Sequence, residues 1–270
     1  RGEPLVWLSG GGLILCVVMI VGLLGGVLYQ GSTTFWPVSV VQIETVSDAT
    51  ILGEVTRDDN YRPADTVFEN LPEDQRQEAR AEVAAADGWA HRRLVRTGNF
   101  ELTNEHFNWV SDFEIQVDGE SRPNWALVVE RLTGGRFYGK PKAFLIDGEQ
   151  IATTPEAVWE SFRKHHASVR ERWQERRSLE IHDTGKINRR LESARLRLRR
   201  VEMENGKDSS QWHAENLRFQ ELESEVNEQF GEIRRQIDRL DQENARFQIA
   251  VATSDGSEKA LALADIVRAY

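Results

Sequence analysis

The sequence predicts a membrane-anchored α+β protein with one N-terminal transmembrane helix, a β-rich periplasmic domain, and a long antiparallel coiled-coil hairpin inserted into that domain. Three observations lead there. No charged side chain occurs between Pro4 and Ile43, strand-like apolar patterning fills much of the chain after Pro37, and a period of three and a half residues takes over from Pro155. The expected boundaries are 1–37 for the span and membrane exit, 38–154 for the first part of the β-rich domain, 155–246 for the hairpin, and 247–270 for its last strands.

From Leu5 to Leu28 the residues are nearly all Leu, Ile, Val and Gly. At about 1.5 Å per residue, some 20 such residues cross a hydrocarbon layer of roughly 30 Å. The run is too long for a secretory signal peptide. Leu13-Ile14-Leu15-Cys16 has the outline of a lipoprotein cleavage site, but Leu15 stands where a small residue is needed. Cys16 therefore reads as a lipid-facing or helix-packing thiol. As the sole cysteine it excludes a disulfide framework and a thiolate metal site. Gly22 and Gly26 form a small-xxx-small pair that allows close approach of another helix. Phe35 and Trp36, in the exit segment GSTTFWP, are placed as anchors at headgroup level. Arg1 is the one basic residue before the span, and none follows until Arg57, which points to a cytoplasmic N-terminus with the bulk of the chain outside.

Strand signals follow in Val38 to Val46 and Thr50 to Val55, around the turn Ser47-Asp48, and again in Leu94 to Phe100 and Phe107 to Val117. The clearest hairpin joins Ala126 to Leu132 with Arg136 to Ile146 through Thr133-Gly134-Gly135, residues that tolerate positive φ. Glu69 to Ala86 reads as a short exposed helix with Pro72 in its first turn. Trp89, Trp109 and Trp125 are assigned to the core.

From Pro155, Trp159, Phe162, Val169 and Trp173 recur in helical steps, followed by Ile187, Leu191, Ala194, Leu198 and Val201. After the polar turn Asn205 to Ser210 a second series runs Leu222, Val226, Phe230, Ile233, Ile237, Leu240 and Phe247. Folding the two back on each other sets Leu198 against Leu222, Ala194 against Val226 and Leu191 against Phe230, which keeps one apolar seam. Asn244 sits at a seam position where it would fix the register. His165, His166 and His182 are assigned to solvated helix faces.

A net charge of −10 makes nucleic acid an improbable partner and disfavours anionic headgroups. No glycine-rich phosphate loop with Lys and Ser/Thr is present, no histidine spacing suggests zinc, and no acid-base pair stands out, so neither an enzyme nor a cofactor is expected.

Thr97 to Trp109 (TGNFELTNEHFNW), Val128 to Lys142 (VVERLTGGRFYGKPK), Leu261 to Tyr270 (LALADIVRAY) and the GSTTFWP exit together resemble the extended periplasmic region of phosphate ABC transporter permeases of the PstA type. The resemblance covers essentially the whole chain. It implies an inner-membrane subunit of an ATP-driven phosphate importer, working with a second permease subunit, cytoplasmic ATPase subunits and a periplasmic phosphate-binding protein. Such permeases continue past the point matching Tyr270 into further transmembrane helices, and Arg1 stands where a starting Met would be, so a piece of a longer protein is expected. Periplasmic adaptors of export systems share the plan of one span, a β-rich body and an inserted helical hairpin, and a membrane-anchored sensor is a third class.

Overall fold

The computed structural model describes residues 3–34 and 38–270, with side-chain surroundings given for 10–32 and from 38 onward. The chain divides into two compact units, Arg1–Ser39 and Val40–Tyr270.

The first unit holds helix α1, Glu3–Thr34. Within it Gly10–Ser32, 23 residues, is long and apolar enough to cross a membrane. Cys16 is exposed on it.

The second unit is built on two antiparallel sheets. Its elements are β1 (Val40–Thr45), β2 (Thr50–Tyr61), α2 (Asp65–Glu69), α3 (Glu73–Ala85), β3 (Ala90–Arg96), α4 (Phe100–Thr103), β4 (Phe107–Ser111), β5 (Ile115–Ser121), β6 (Leu127–Arg131), β7 (Arg136–Ile146) and β8 (Glu149–Ala152). They continue with α5 (Pro155–Ser178), α6 (Thr184–Asn205), α7 (Ser210–Ala245), β9 (Phe247–Ala252), β10 (Glu258–Ala262) and β11 (Ile266–Ala269). The first sheet runs β4-β3-β2-β1-β5, and the second runs β10-β9-β7-β6-β11 with β8 beside β7.

Each layer has its own apolar centre. Val41, Ile43, Val95 and Val110 fill one face of the first sheet, while Phe68, Leu71, Ala79 and Val83 seat α2 and α3. The largest cluster joins Phe137, Phe144, Ile249, Val251 and Leu263 of the second sheet to Val158, Phe162 and Val169 of α5. Leu52 of β2 meets Val128 and Tyr138 of the second sheet, which welds the sheets together.

The structure corrects several boundaries. The expected strand Leu94 to Phe100 ends at Arg96, because Gly98 and Asn99 take positive φ of 55° and 56°. Asn99 then substitutes for a strand neighbour: its amide donates to the Tyr138 carbonyl at 2.8 Å and its Oδ1 accepts from the Tyr138 N–H at 2.9 Å. Phe107 to Val117 is two strands, not one. A single 3₁₀ turn, Asp112–Glu114, separates them and carries the chain from one edge of the first sheet to the other. The Ser111 N–H donates to Glu114 Oε2 at 2.6 Å and closes that turn. The expected helix between Glu69 and Ala86 is α3, Glu73–Ala85, and the separate short α2 ends at Glu69. Pro72 stands at the N-cap of α3 instead of inside its first turn, and its missing N–H ends α2.

Candidate functional site

On α1, Gly22 and Gly26 have nothing within 4 Å of a virtual Cβ, so the small-residue stripe is open. Phe35 and Trp36, expected as interfacial anchors, lie outside the described residues.

The helical region leaves the second sheet between β8 and β9, both of which pair with β7. Thr154 Oγ1 accepts from the Ala157 N–H and Pro155 occupies the first turn, which starts α5. A one-turn π segment, Leu179–Asp183, joins α5 to α6. Gly206, at φ of 80°, ends α6, and the Ser209 hydroxyl caps α7 through the Trp212 N–H. Ion pairs Arg176–Asp241, Arg190–Glu225 and Arg197–Glu215 bring rising numbers on one side against falling numbers on the other, so α7 runs antiparallel to α5 and α6. Val226 and Ala194 are buried. Leu191, Leu198, Leu222, Phe230, Ile233, Ile237 and Leu240 are each half-buried.

The root of this region is clamped to the sheet. Arg172 Nε donates to Asn244 Oδ1 at 2.8 Å, which ties α5 to α7, and Arg246 forks onto Asp147 in the β7–β8 turn, with Nη2 2.7 Å from Oδ2, which ties the end of α7 to the sheet. The hydrogen bonds from Arg246 hold the Asp147 carboxyl below the usual carboxylate range. His165 and His166 are not on a solvated face as expected. The His165 ring lies between Phe144 at 5.7 Å and Phe247 at 5.0 Å, and His166 Nε2 is 2.9 Å from the Ile266 carbonyl oxygen. Their positions on α5 turn both rings inward because Phe162 and Val169, on the same helix face, pack on the sheet. Burial pushes the His165 pKa down, helped by the charges of Lys164 and Arg172.

Where the two sheets meet, a carboxylate is enclosed. Glu54 of β2 is 1% exposed, and its Oε2 accepts from Arg136 Nη1 at 2.6 Å and from the Tyr138 hydroxyl at 2.8 Å. The Tyr270 hydroxyl lies 3.4 Å from Oε1, and Arg96 Nη1 4.0 Å from Oε2. Arg136 extends the network through Glu130, 2.9 Å away, which in turn binds Arg268 at 2.6 Å. Burial raises the Tyr138 pKa, and the charge of Glu54 adds to the rise. Burial opposes the Arg136 charge, but the Tyr138 hydroxyl and the Glu54 carboxylate outweigh it, so the guanidinium holds its proton more tightly than usual. Arg96, Arg136, His106 and Phe107 line a cleft of about 240 Å³ beside this node. Gly98 stands at its floor, where a Cβ would come 2.4 Å from the Arg136 carbonyl oxygen.

Against this geometry, no family model, no curated protein and no solved structure matches the chain. The site is therefore read from its own residues.

A larger cleft, of about 560 Å³, opens between α3 and the first sheet. Glu82 and Val83 of α3 and Ala86 at its end line it together with Trp89, His91, Asp112 and Phe113. Trp89, expected in the core, is 48% exposed on this cleft, with the Arg62 guanidinium 4.9 Å from its ring centre. It follows the turn at Asp87 and Gly88, both at positive φ, which ends α3 and leaves the indole outside the packed cluster below. Trp109 and Trp125 are half-buried. Sequence reasoning overlooked Glu54 and this cleft. The one available signal for Glu54 was an acidic residue on the same strand face as Leu52.

Proposed function

We propose that this chain is the N-terminal, membrane-anchored part of an inner-membrane permease subunit of an ATP-driven inorganic phosphate importer, its periplasmic region serving docking or gating at the transporter mouth. What carries the reading is the presence in one chain of an uncharged 23-residue stretch of α1 and a β-rich body that holds the root of a 36-residue helix through Asp147 and Arg246. Residues 155–246 act in this reading as an antiparallel coiled-coil hairpin. Leu191, Leu198, Leu222, Val226, Phe230, Ile233, Ile237 and Leu240 form its seam, and Asn244, bonded to Arg172, sets the register.

In the same reading the single span crosses the bacterial inner membrane, with Gly22 and Gly26 receiving a neighbouring transmembrane helix and Phe35 and Trp36 at the headgroups. A second permease subunit completes the path, separate cytoplasmic ATPase subunits hydrolyse ATP, and a periplasmic phosphate-binding protein delivers the substrate. At about 1.5 Å per residue the longest helix of the hairpin reaches roughly 54 Å, enough to meet a protein held above the membrane.

The test deletes residues 180–238 in the native permease, which spares the part of α5 packed on the second sheet, and measures phosphate uptake at limiting phosphate. Reduced uptake with normal membrane insertion supports docking by the hairpin, and unchanged uptake removes it. An adaptor for export is the second reading, favoured by the insertion of the helices between two strands that share one neighbour, β7. It predicts that the deletion impairs efflux or secretion and leaves phosphate uptake alone.

A further inference from the structure

The cleft beside α3 has the composition of a binding site that nothing in the transport reading uses. Its floor is apolar, made by Val83, Ala86 and Phe113, and the indole of Trp89 forms one wall. A second hollow of about 270 Å³ shares Glu82, Asp112 and Phe113 with it and extends along α3 past Glu78 to Val117. Together they form a groove between α3 and the 112–117 segment. Val117 is 96% exposed at its far end, because the pairing of β5 with β1 slips between Ile43 and Thr45.

The lip of the groove is acidic. Asp112 is already engaged by His91, whose Nδ1 is 2.9 Å from Oδ2, and by Arg93, whose Nε is 3.7 Å from Oδ1. Glu78 and Glu82 have no cation within ion-pair distance among the described residues. One face of the indole carries the Arg62 guanidinium, and the 48% of Trp89 that stays exposed offers apolar surface to a ligand's aliphatic stem.

We propose that this groove binds a basic side chain, lysine or arginine, presented by an extended peptide of a partner protein. The aliphatic stem lies on Val83 and Phe113 against Trp89, and the charge sits between Glu78 and Glu82, which are one helical turn apart on α3. Lysine and arginine combine an apolar stem with a charged head, which is the combination of surfaces the groove offers. A neutral apolar ligand would strip water from Glu82 without replacing it. An anionic surface would be repelled by the same carboxylate and by the chain's net charge of −10.

The experiment uses the full chain in detergent micelles and a dye-labelled heptapeptide of alternating Lys and Val, read by fluorescence polarisation. Peptides with Glu or Ser in place of Lys serve as competitors. Binding of the Lys peptide, weakened about three- to tenfold by Glu82→Gln and by Trp89→Ala, supports the site. Glu228→Gln, on the exposed face of α7, removes the same charge elsewhere and should leave binding unchanged. Equal weakening by Glu228→Gln would assign the attraction to the overall charge and overturn the proposal. So would a Ser peptide that competes as well as the Lys peptide, or no binding of the Lys peptide at all. Circular dichroism of each variant confirms its fold, and none of these outcomes depends on phosphate uptake.

Discussion

Glu54 shows how one side chain can join two sheets. A carboxylate 1% exposed is tolerable because Arg136 and the Tyr138 hydroxyl replace the water it lost. Removing its charge takes one of two carboxylate partners from Arg136, which keeps Glu130, so Glu54→Gln should cost about 1–2 kcal/mol in urea unfolding. Glu54→Leu combined with Arg136→Met should recover part of that loss, since neither charge then needs a partner. A full-sized loss in the double variant would show that the node stabilises through shape rather than charge. His165 makes the second prediction. Its pKa in the folded state is lowered from 6.5, mainly by burial between Phe144 and Phe247. The folded protein therefore favours the neutral ring, and the unfolded chain binds the proton more readily. The stabilisation is present above 6.5 and lost as pH falls from 6.5 toward the folded value. The thermal midpoint should drop across that window, and His165→Phe should flatten the drop. Neither role was visible in the strand and helix patterns, because a pattern assigns a residue to a face without saying what covers that face.

At the scale of the element, helices 155–205 and 210–245 were legible because an apolar period close to 3.6 persists over many turns. The π segment at Leu179–Asp183 was not, since it falls inside the first series, between Trp173 and Ile187, where Leu179 and Ile181 keep the composition helix-like. Short strands fared less well. Leu94 to Phe100 is rich enough in apolar residues to read as a strand throughout, yet the left-handed backbone at Gly98 and Asn99 ends it. Val226, fully buried among half-buried neighbours, is the sensitive point of the helical pairing. Val226→Asp should lower helical circular dichroism and open 184–245 to proteolysis, while the sheets retain their thermal transition, because local stability in an extended pair depends on its own contacts. Loss of the whole fold would mean that the helices and sheets unfold as one. Arg190→Ala, in contrast, removes an exposed ion pair with Glu225 and should leave helicity unchanged.

Over the whole molecule, the placement of the helical region matters more than its length. Phe144 of β7 pairs with Ala152 of β8 on one side and with Ile249 of β9 on the other. Chain entry and exit are therefore two strand spacings apart, about 10 Å, which a short linker spans. Deleting all of 155–245 would strip Val158, Phe162 and Val169 from the core of the second sheet, so the variant that tests function removes 180–238, keeps the root of α5 on the sheet and joins the two arms where Arg176 meets Asp241. Reduced phosphate uptake by an inserted, folded deletion variant then reports on docking alone. A variant that fails to reach the membrane would instead place the helices in assembly, against the docking proposal.

Sequence by itself determined the elements whose signal is local. The uncharged run before Ile43 dictates an apolar helix, the Gly134-Gly135 turn dictates a hairpin, and the helical periods dictate α5 to α7. Tertiary structure alone decided what those elements enclose. The division of strands into two sheets, the carboxylate held where the sheets meet and the half-exposed Trp89 on its groove all arise from contacts between residues far apart in the chain. Side-chain periodicity fixes which way a residue points along its own element, whereas burial and charge balance depend on which other element arrives opposite it.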